Sequence, residues 1–395
     1  MIRDRSPELP APDADALAQS ERLIEHIAAR IRYAGGSIGF DEYMECALYT
    51  PGLGYYSGGA QKFGATGDFV TAPELSPIFS RCLARQVMDV WQRLDTRRVI
   101  EFGAGSGVMA ADMLLEFEAQ ALLPERYDIV ELSGELRERQ RETIATRAAH
   151  LLDRVQWLDR LPESPVPGVV VGNEVLDAMP VKLFVMRGGE VMERCVTLDG
   201  MTFGFVETPA DEALAAAVRH IETERGGPLP EGYVSEVNLA LPGWFEALDR
   251  VIEAGTVLLI DYGYPRREYY LEERRSGTLI CHYRHRAHED VFLYPGLQDI
   301  TANVDFTAVA EAAADAGFDV LGYTSQAYFL MGSGLDAVFA QMQGEDINQQ
   351  LAAAQQVKQL TLPAEMGERF QVIALGKGIE PPLAGFAIND YRARL

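Results

Sequence analysis

The sequence predicts an α/β fold: a doubly wound, mostly parallel sheet with a helical segment ahead of it and insertions within it. Three observations carry that expectation. Apolar, β-branched runs alternate with amphipathic stretches at the spacing of strand–helix–strand units. One such run, Val99-Ile100-Glu101-Phe102, passes through Gly103-Ala104-Gly105-Ser106-Gly107 into a helical pattern over Val108 to Phe117. Another, Gly168 to Asn173, is apolar enough to be buried on both faces, as parallel strands are.

In chain order, Leu17 to Tyr33 reads as an amphipathic helix stopped by Gly35-Gly36, and Phe40 to Tyr49 as a second. A glycine- and aromatic-rich loop follows, GLGYYSGGAQKFGATGDFVTAPELSPIF, then a helix over Ser80 to Leu94. After the glycine turn come a strand at Tyr127 to Leu132, a charged helix at Glu135 to Arg147, and short strands at Val155 to Leu158 and Gly168 to Asn173. Val181 to Val185 and Val191 to Val196 suit a hairpin, and Ala213 to Ile221 a helix, inside an insertion over 181–250. The parallel series resumes at Gly255 to Asp261. A long loop is expected over 262–300, a helix over 305–316, and a strand near 318–323. A helical stretch over 334–358 and a last strand, Phe370 to Leu375, complete the pattern.

Composition narrows the function classes. The chain has 395 residues, a net charge of −24 and a pI near 4.7. Nucleic-acid grooves need clustered Lys and Arg, so a nucleic-acid partner is not expected. The four isolated cysteines, without C-x-x-C, suit a reducing compartment. No apolar run approaches the roughly 18 residues of a membrane span. The first twenty residues lack a hydrophobic core and carry several acids. They read as neither signal nor transit peptide, and a cytoplasmic location is expected.

The chemistry-bearing residues gather at strand ends. Gly103, Gly105 and Gly107 let backbone approach a ligand where side chains would clash, and the helix behind them offers unpaired N–H groups. Their G-x-G-x-G spacing is not the G-x-G-x-x-G of dinucleotide binders, which counts against an NAD-dependent oxidoreductase. Glu131 lies 28 residues after Gly103, at the end of the second strand, where an acid can accept hydrogen bonds from a ribose. Asn173, Glu174 and Asp177 follow a strongly apolar strand; Asp177 alternatively caps a helix. Asp68 and Glu74 add carboxylates from the N-terminal loop, and Asp261 ends the fifth strand similarly. His282, His285 and His288 stand three apart, but Arg284 and Arg286 between them disfavour a metal; a substrate-contacting loop or plain surface exposure remains.

Glu101 with its glycine turn resembles motif I of the Rossmann-like S-adenosylmethionine (SAM) methyltransferases. Together, ALYTPGLGYYS, KFGATGDFVTAPELSPIF, VIEFGAGSG, GNEVLDAMPVKLF, DITANVDFT and GERFQVIALGKG, spread over about 40 to 378, are similar to blocks of the MidA-like family. The resemblance implies a class I methyltransferase fold with a seven-stranded sheet of order 3-2-1-4-5-7-6, whose last strand, near 370–375, runs antiparallel. It implies SAM as cofactor and methylation of an arginine on a protein, in mitochondrial members a complex I subunit. Glu101, Gly103, Ala104, Gly105, Gly107, Glu131 and Asn173 would bind the cofactor, with Asp68 and Phe69 close to it. Glu174 and Asp177, with Asp68 or Glu74 opposite, would hold the guanidinium, which stays charged and needs carboxylates. No metal is implied. In this division, 1–80 is a helical segment and cofactor-covering loop. The methyltransferase domain, 81–395, has insertions near 181–250, 262–300 and 331–362. Asn303 stands where many relatives have histidine, so no role resting on an imidazole carries over. A SAM-binding assembly factor with little turnover is the alternative on the same fold.

Overall fold

The computed structural model describes residues 9–57, 70–342 and 347–395. Two compact units partition the chain. Unit one comprises 1–69, 177–240 and 266–303; unit two comprises 70–176, 241–265 and 304–395.

Unit two is built on an eight-stranded sheet among the described residues: seven strands in one continuous path, with the two-residue Val304–Asp305 pairing in parallel with Gly263 and Tyr264 off that path. The seven strands of the path are β1 (Arg98–Phe102), β2 (Arg126–Val130), β3 (Val155–Leu158), β4 (Val166–Asn173), β5 (Ile252–Tyr264), β6 (Asp319–Ser325) and β7 (Phe370–Lys377). Their spatial order is 3-2-1-4-5-7-6. β1 to β5 pair in parallel, Glu101 lying across from Ile129 and Val171. β7 runs antiparallel to both neighbours, Leu258 opposite Ala374 and Tyr323 opposite Ile373. The expected order and the reversed last strand are therefore those observed. β4 and β5 read as near-continuous valine, leucine and isoleucine because both faces are covered. On one side lie the helices Pro77–Trp91 and Val108–Ala119. Their Phe79, Leu83, Val87, Met113 and Phe117 join Val99, Val169 and Leu258 in a single buried cluster.

Helix ends follow local chemistry. Ser76 caps Pro77–Trp91, which puts that start three residues before the expected Ser80. Ser133 caps Gly134–Arg147, and Asp305 caps Phe306–Asp315 by accepting from Thr307 and Ala308 N–H groups. The helical stretch expected over 334–358 is instead Leu335–Met342 and Ile347–Thr361, preceded by Gln326–Gly332.

Unit one pairs a helical pair with a five-stranded antiparallel sheet. Helix Ala14–Tyr33, capped by Asp13, and helix Phe40–Tyr49 bury Leu23, Ile27, Ile31, Phe40, Tyr43 and Met44. The expected hairpin is present as Lys182–Arg187 and Glu190–Asp199, turned by Gly188 and Gly189. Thr202–Pro209, Val234–Val237 and the two-residue Ser37–Ile38 complete that sheet. The loop expected over 262–300 is corrected: it holds helix Arg266–Tyr269 and a small sheet of Ile280–Tyr283, Arg286–His288 and Asp299–Thr301. Cys281 and Tyr283 alternate inward, but the strands are too short and too charged for a strong period-two pattern. Among the described residues, no helix is long and apolar enough to cross a membrane.

Candidate functional site

In unit two, the carboxyl ends of β1, β2, β4 and β5 bring together Glu101, the glycine turn, Glu131, Asn173 and Asp261. The strand order reverses between β1 and β4, and open α/β sheets form their ligand crevice at such a switch point.

Gly103, Gly105 and Gly107 all have left-handed backbone, φ 64°, 52° and 84°. Gly107 N–H donates to the carbonyl of Ala104 at 2.8 Å, which closes the turn directly onto helix Val108–Ala119. A Cβ on Gly107 would stand 2.9 Å from Cα of Gln140, so this position admits nothing larger. Ser106 Oγ donates to Glu74, which brings that carboxylate to the turn as well.

Glu101 is completely buried. Its Oε2 accepts from Tyr127 Oη at 2.8 Å, while Oε1 has no hydrogen-bond partner among the described residues. Burial pushes its carboxyl up to about 7, with the Tyr127 bond opposing only partly. A buried carboxylate oxygen left without a donor is costly, and an ammonium in the turn would satisfy it.

Glu131 sits one residue beyond β2. Its Oε1 accepts from Ser133 N–H at 2.8 Å and its Oε2 from Gln140 Nε2 at 3.1 Å. Burial raises its pKa, against those hydrogen bonds. Gln140 is the residue that sequence reasoning missed. Fully buried on helix Gly134–Arg147, its amide also donates to the carbonyl of Gly105 at 3.2 Å and accepts from Trp157 Nε1 at 2.9 Å. One side chain thus ties the glycine turn to the acid. In the sequence it is one polar residue among many on a charged helix, and nothing local marks it.

At the end of β4, Asn173 Nδ2 donates to Glu174 Oε1 at 3.0 Å, and Asn173 Oδ1 is buried without a partner among the described residues. Glu174 has a left-handed backbone, φ 53°, an unfavourable state for a side chain of this kind. Glu174 N–H bonds to the Ile260 carbonyl at 2.9 Å. Asp261 accepts from Leu176 N–H and Tyr262 N–H, both at 2.9 Å, and so pins the turn that follows Glu174.

Asp177 belongs to unit one, where it is buried and its carbonyl accepts from Ala302 N–H at 3.0 Å. No helix begins there, because the chain turns directly into strand Lys182–Arg187; the cap reading of Asp177 is therefore corrected. Tyr49 and Tyr56 stack 5.4 Å apart in the same unit, and Tyr56 donates to Asp299 at 3.0 Å. Asp68 and Phe69 lie outside the described residues. His282 and His288 occupy facing strands of the small sheet, with Arg284 and His285 in its left-handed turn.

A parallel sheet with this switch point, a reversed seventh strand and an acid–glycine turn defines a Rossmann-like, class I methyltransferase fold. The profile of the S-adenosyl-L-methionine-dependent methyltransferases matches residues 82–324, and the chain belongs to that family. A Burkholderia thailandensis protein solved bound to S-adenosyl-homocysteine is 49% identical, with a TM-score of 0.93, covering 98% of this chain and 100% of that one. The Danio rerio mitochondrial protein arginine methyltransferase NDUFAF7 is 26% identical over 90% of this chain and 87% of its own length. The Homo sapiens protein of that name is 28% identical over 89% and 83% respectively. The chain is a SAM-dependent methyltransferase, and SAM is its cofactor. The residues fit that group: an orphaned buried acid oxygen, a turn with three left-handed glycines and a second acid held at the neighbouring strand end. The expected cytoplasmic location is corrected, because the NDUFAF7 relatives are named as mitochondrial proteins. An acid-rich N-terminus without an apolar core was too weak a basis for that placement.

Proposed function

We propose that this methyltransferase modifies an arginine side chain of a protein partner, with Glu174 as the carboxylate that holds the guanidinium. The observation carrying this reading is the strained backbone of Glu174 at the end of β4. Strain of about 1–3 kcal/mol at a non-glycine residue persists only where surrounding contacts impose it, and such positions concentrate at functional sites. Here the Ile260 carbonyl, Asn173 and the Asp261-pinned turn impose it. The relatives named as protein arginine methyltransferases support the choice of acceptor.

Within this reading, Glu101 takes the ammonium of the cofactor's methionine end, and Gly103, Ala104, Gly105 and Gly107 form its floor. Glu131, oriented by Gln140, takes the ribose, and Asn173 lines the reacting end. Bound SAM supplies an electrophilic methyl group on a sulfonium, which leaves as a neutral thioether and needs no acid. The protein's work is then to position and desolvate the acceptor. Glu174 pairs with the guanidinium and takes the proton that the methylated nitrogen sheds. Asp177 and Asp68 are further carboxylate candidates, each to be tested by its own amide variant.

The test is labelled SAM added to a lysate, with mass spectrometry of the labelled residue. Methylarginine is expected. With that substrate, Glu174→Gln should lower turnover by roughly 100- to 1000-fold, the size of a lost electrostatic contact at the reacting centre, while SAM affinity stays near normal. Labelling confined to another residue type would overturn the acceptor. Full turnover in the Glu174→Gln variant would remove Glu174 from its role.

A further inference from the structure

The glycine turn of unit two is crowded with acids. Glu101 lies beneath it, Glu74 bonds to Ser106 within it, and Asp112 stands on the following helix. Helices Pro77–Trp91 and Val108–Ala119 pack side by side, and Arg85 Nε bonds to Glu116 across them at 2.8 Å. One helical turn nearer the glycines on each helix stand Arg81 and Asp112, the next rung of the same ladder. That rung stays open. Asp112 pairs with Arg147 at 2.9 Å instead, and its carboxyl feels Arg81 and Glu74 only at longer range. Arg81 Nε is shielded from solvent without an acceptor among the described residues.

A buried guanidinium N–H without an acceptor is costly unless a ligand supplies one. The methionine end of SAM carries two charges. Its ammonium has an acid waiting in Glu101; its carboxylate, entering among Glu74, Glu101 and Asp112, needs a cation with directed donors. A planar guanidinium matches a carboxylate's two oxygens. We propose that Arg81 binds the α-carboxylate of SAM, and that it makes the site selective for the intact amino-acid end of the cofactor. This concerns the cofactor alone and holds whatever the acceptor is. It rests on the methionine end lying at Glu101, as proposed above.

The test is calorimetry of Arg81→Met, which keeps an apolar stem, with two ligands: SAM, and SAM lacking its carboxylate (decarboxylated SAM). SAM should weaken by roughly ten- to a hundredfold, the usual size for a hydrogen bond to a charged group. Decarboxylated SAM should bind within about twofold of its wild-type affinity, since it never used the guanidinium. Equal losses for both ligands would make Arg81 merely structural, and no loss for SAM would remove it from the site. Should Arg81→Met not fold, Arg81→Lys is measured in the same way and should show a smaller loss confined to SAM. Wild-type protein that fails to prefer SAM over the decarboxylated form overturns the proposal without any variant. Glu101→Ala separates the two readings: unchanged SAM affinity there refutes the placement of the methionine end, whereas Arg81 fails only on the ligand comparison.

Discussion

At the scale of single residues, Glu101 carries an unusual titration. Burial holds its carboxyl at about 7, above its ordinary 4.5, so the folded chain keeps this proton when the unfolded chain has lost it. This group's contribution to stability is fully present below the ordinary carboxylate range, falls as pH rises toward about 7, and is flat beyond. In the apoprotein, Glu101→Gln should therefore raise the melting temperature at pH 8 relative to wild type, with the gap closing toward pH 4. An ammonium opposite Oε1 would favour the charged form, so SAM binding below about pH 7 should release a proton and strengthen as pH rises to that value. Calorimetry in buffers of different ionisation enthalpy reads the released proton directly. Release that persists unchanged in Glu101→Gln would assign it to another group.

At the scale of elements, the strand-turn-helix at 98–119 concentrates the constraints. Gly107→Ala introduces a Cβ 2.9 Å from the Gln140 backbone at a left-handed φ of 84°. The φ penalty alone is about 1–2 kcal/mol, and the displaced Gln140 would loosen its bonds to Gly105 and Glu131. Lower denaturation midpoints and weaker SAM binding should appear together; a stability loss with normal SAM affinity would uncouple the turn from the acid. What could be read in advance follows the range of the interactions. β4, β5 and the turn were legible because burial on two faces and φ above zero leave local marks: valine runs and glycines. The sheet order and reversed β7 came from resemblance, since strand pairing itself leaves no local mark. Ser37–Ile38 pairing with Thr197 and Val196, some 160 residues away, could not be anticipated from either segment. Glu174 likewise concealed its left-handed backbone, because no glycine announces it. Asp261 read as one more strand-end acid, although its bonds to Leu176 and Tyr262 make it a brace.

At the scale of the whole molecule, one continuous chain supplies alternating segments to two units, each with a buried hydrophobic cluster of its own. The N-terminal helices and the segments 177–240 and 266–303 form one unit, so the chain leaves the methyltransferase sheet after β4 and again after β5. A cofactor that binds only the folded form stabilises by mass action, by about 2.7 kcal/mol at a hundredfold its dissociation constant. Hydrogen exchange should show that gain as slowed exchange over 98–107 and 126–140 of unit two, where the turn, Glu131 and Gln140 lie. Unchanged exchange across both segments would move the cofactor elsewhere.

The position of β7 has a consequence for synthesis. Among the described residues it is the last strand made, yet it is inserted between β5 and β6, covering the edge of β5 that β4 leaves open and pairing β6 to the sheet. During translation β5 therefore emerges with one edge unpaired along Val257-Leu258-Leu259-Ile260, an apolar strand of the kind that recruits foreign strands. About 100 further residues must leave the ribosome before its partner exists, some 5–20 s at ordinary elongation rates. Over that interval the nascent chain offers chaperones a defined apolar edge to shield. Any premature stop before residue 370 leaves that edge permanently open.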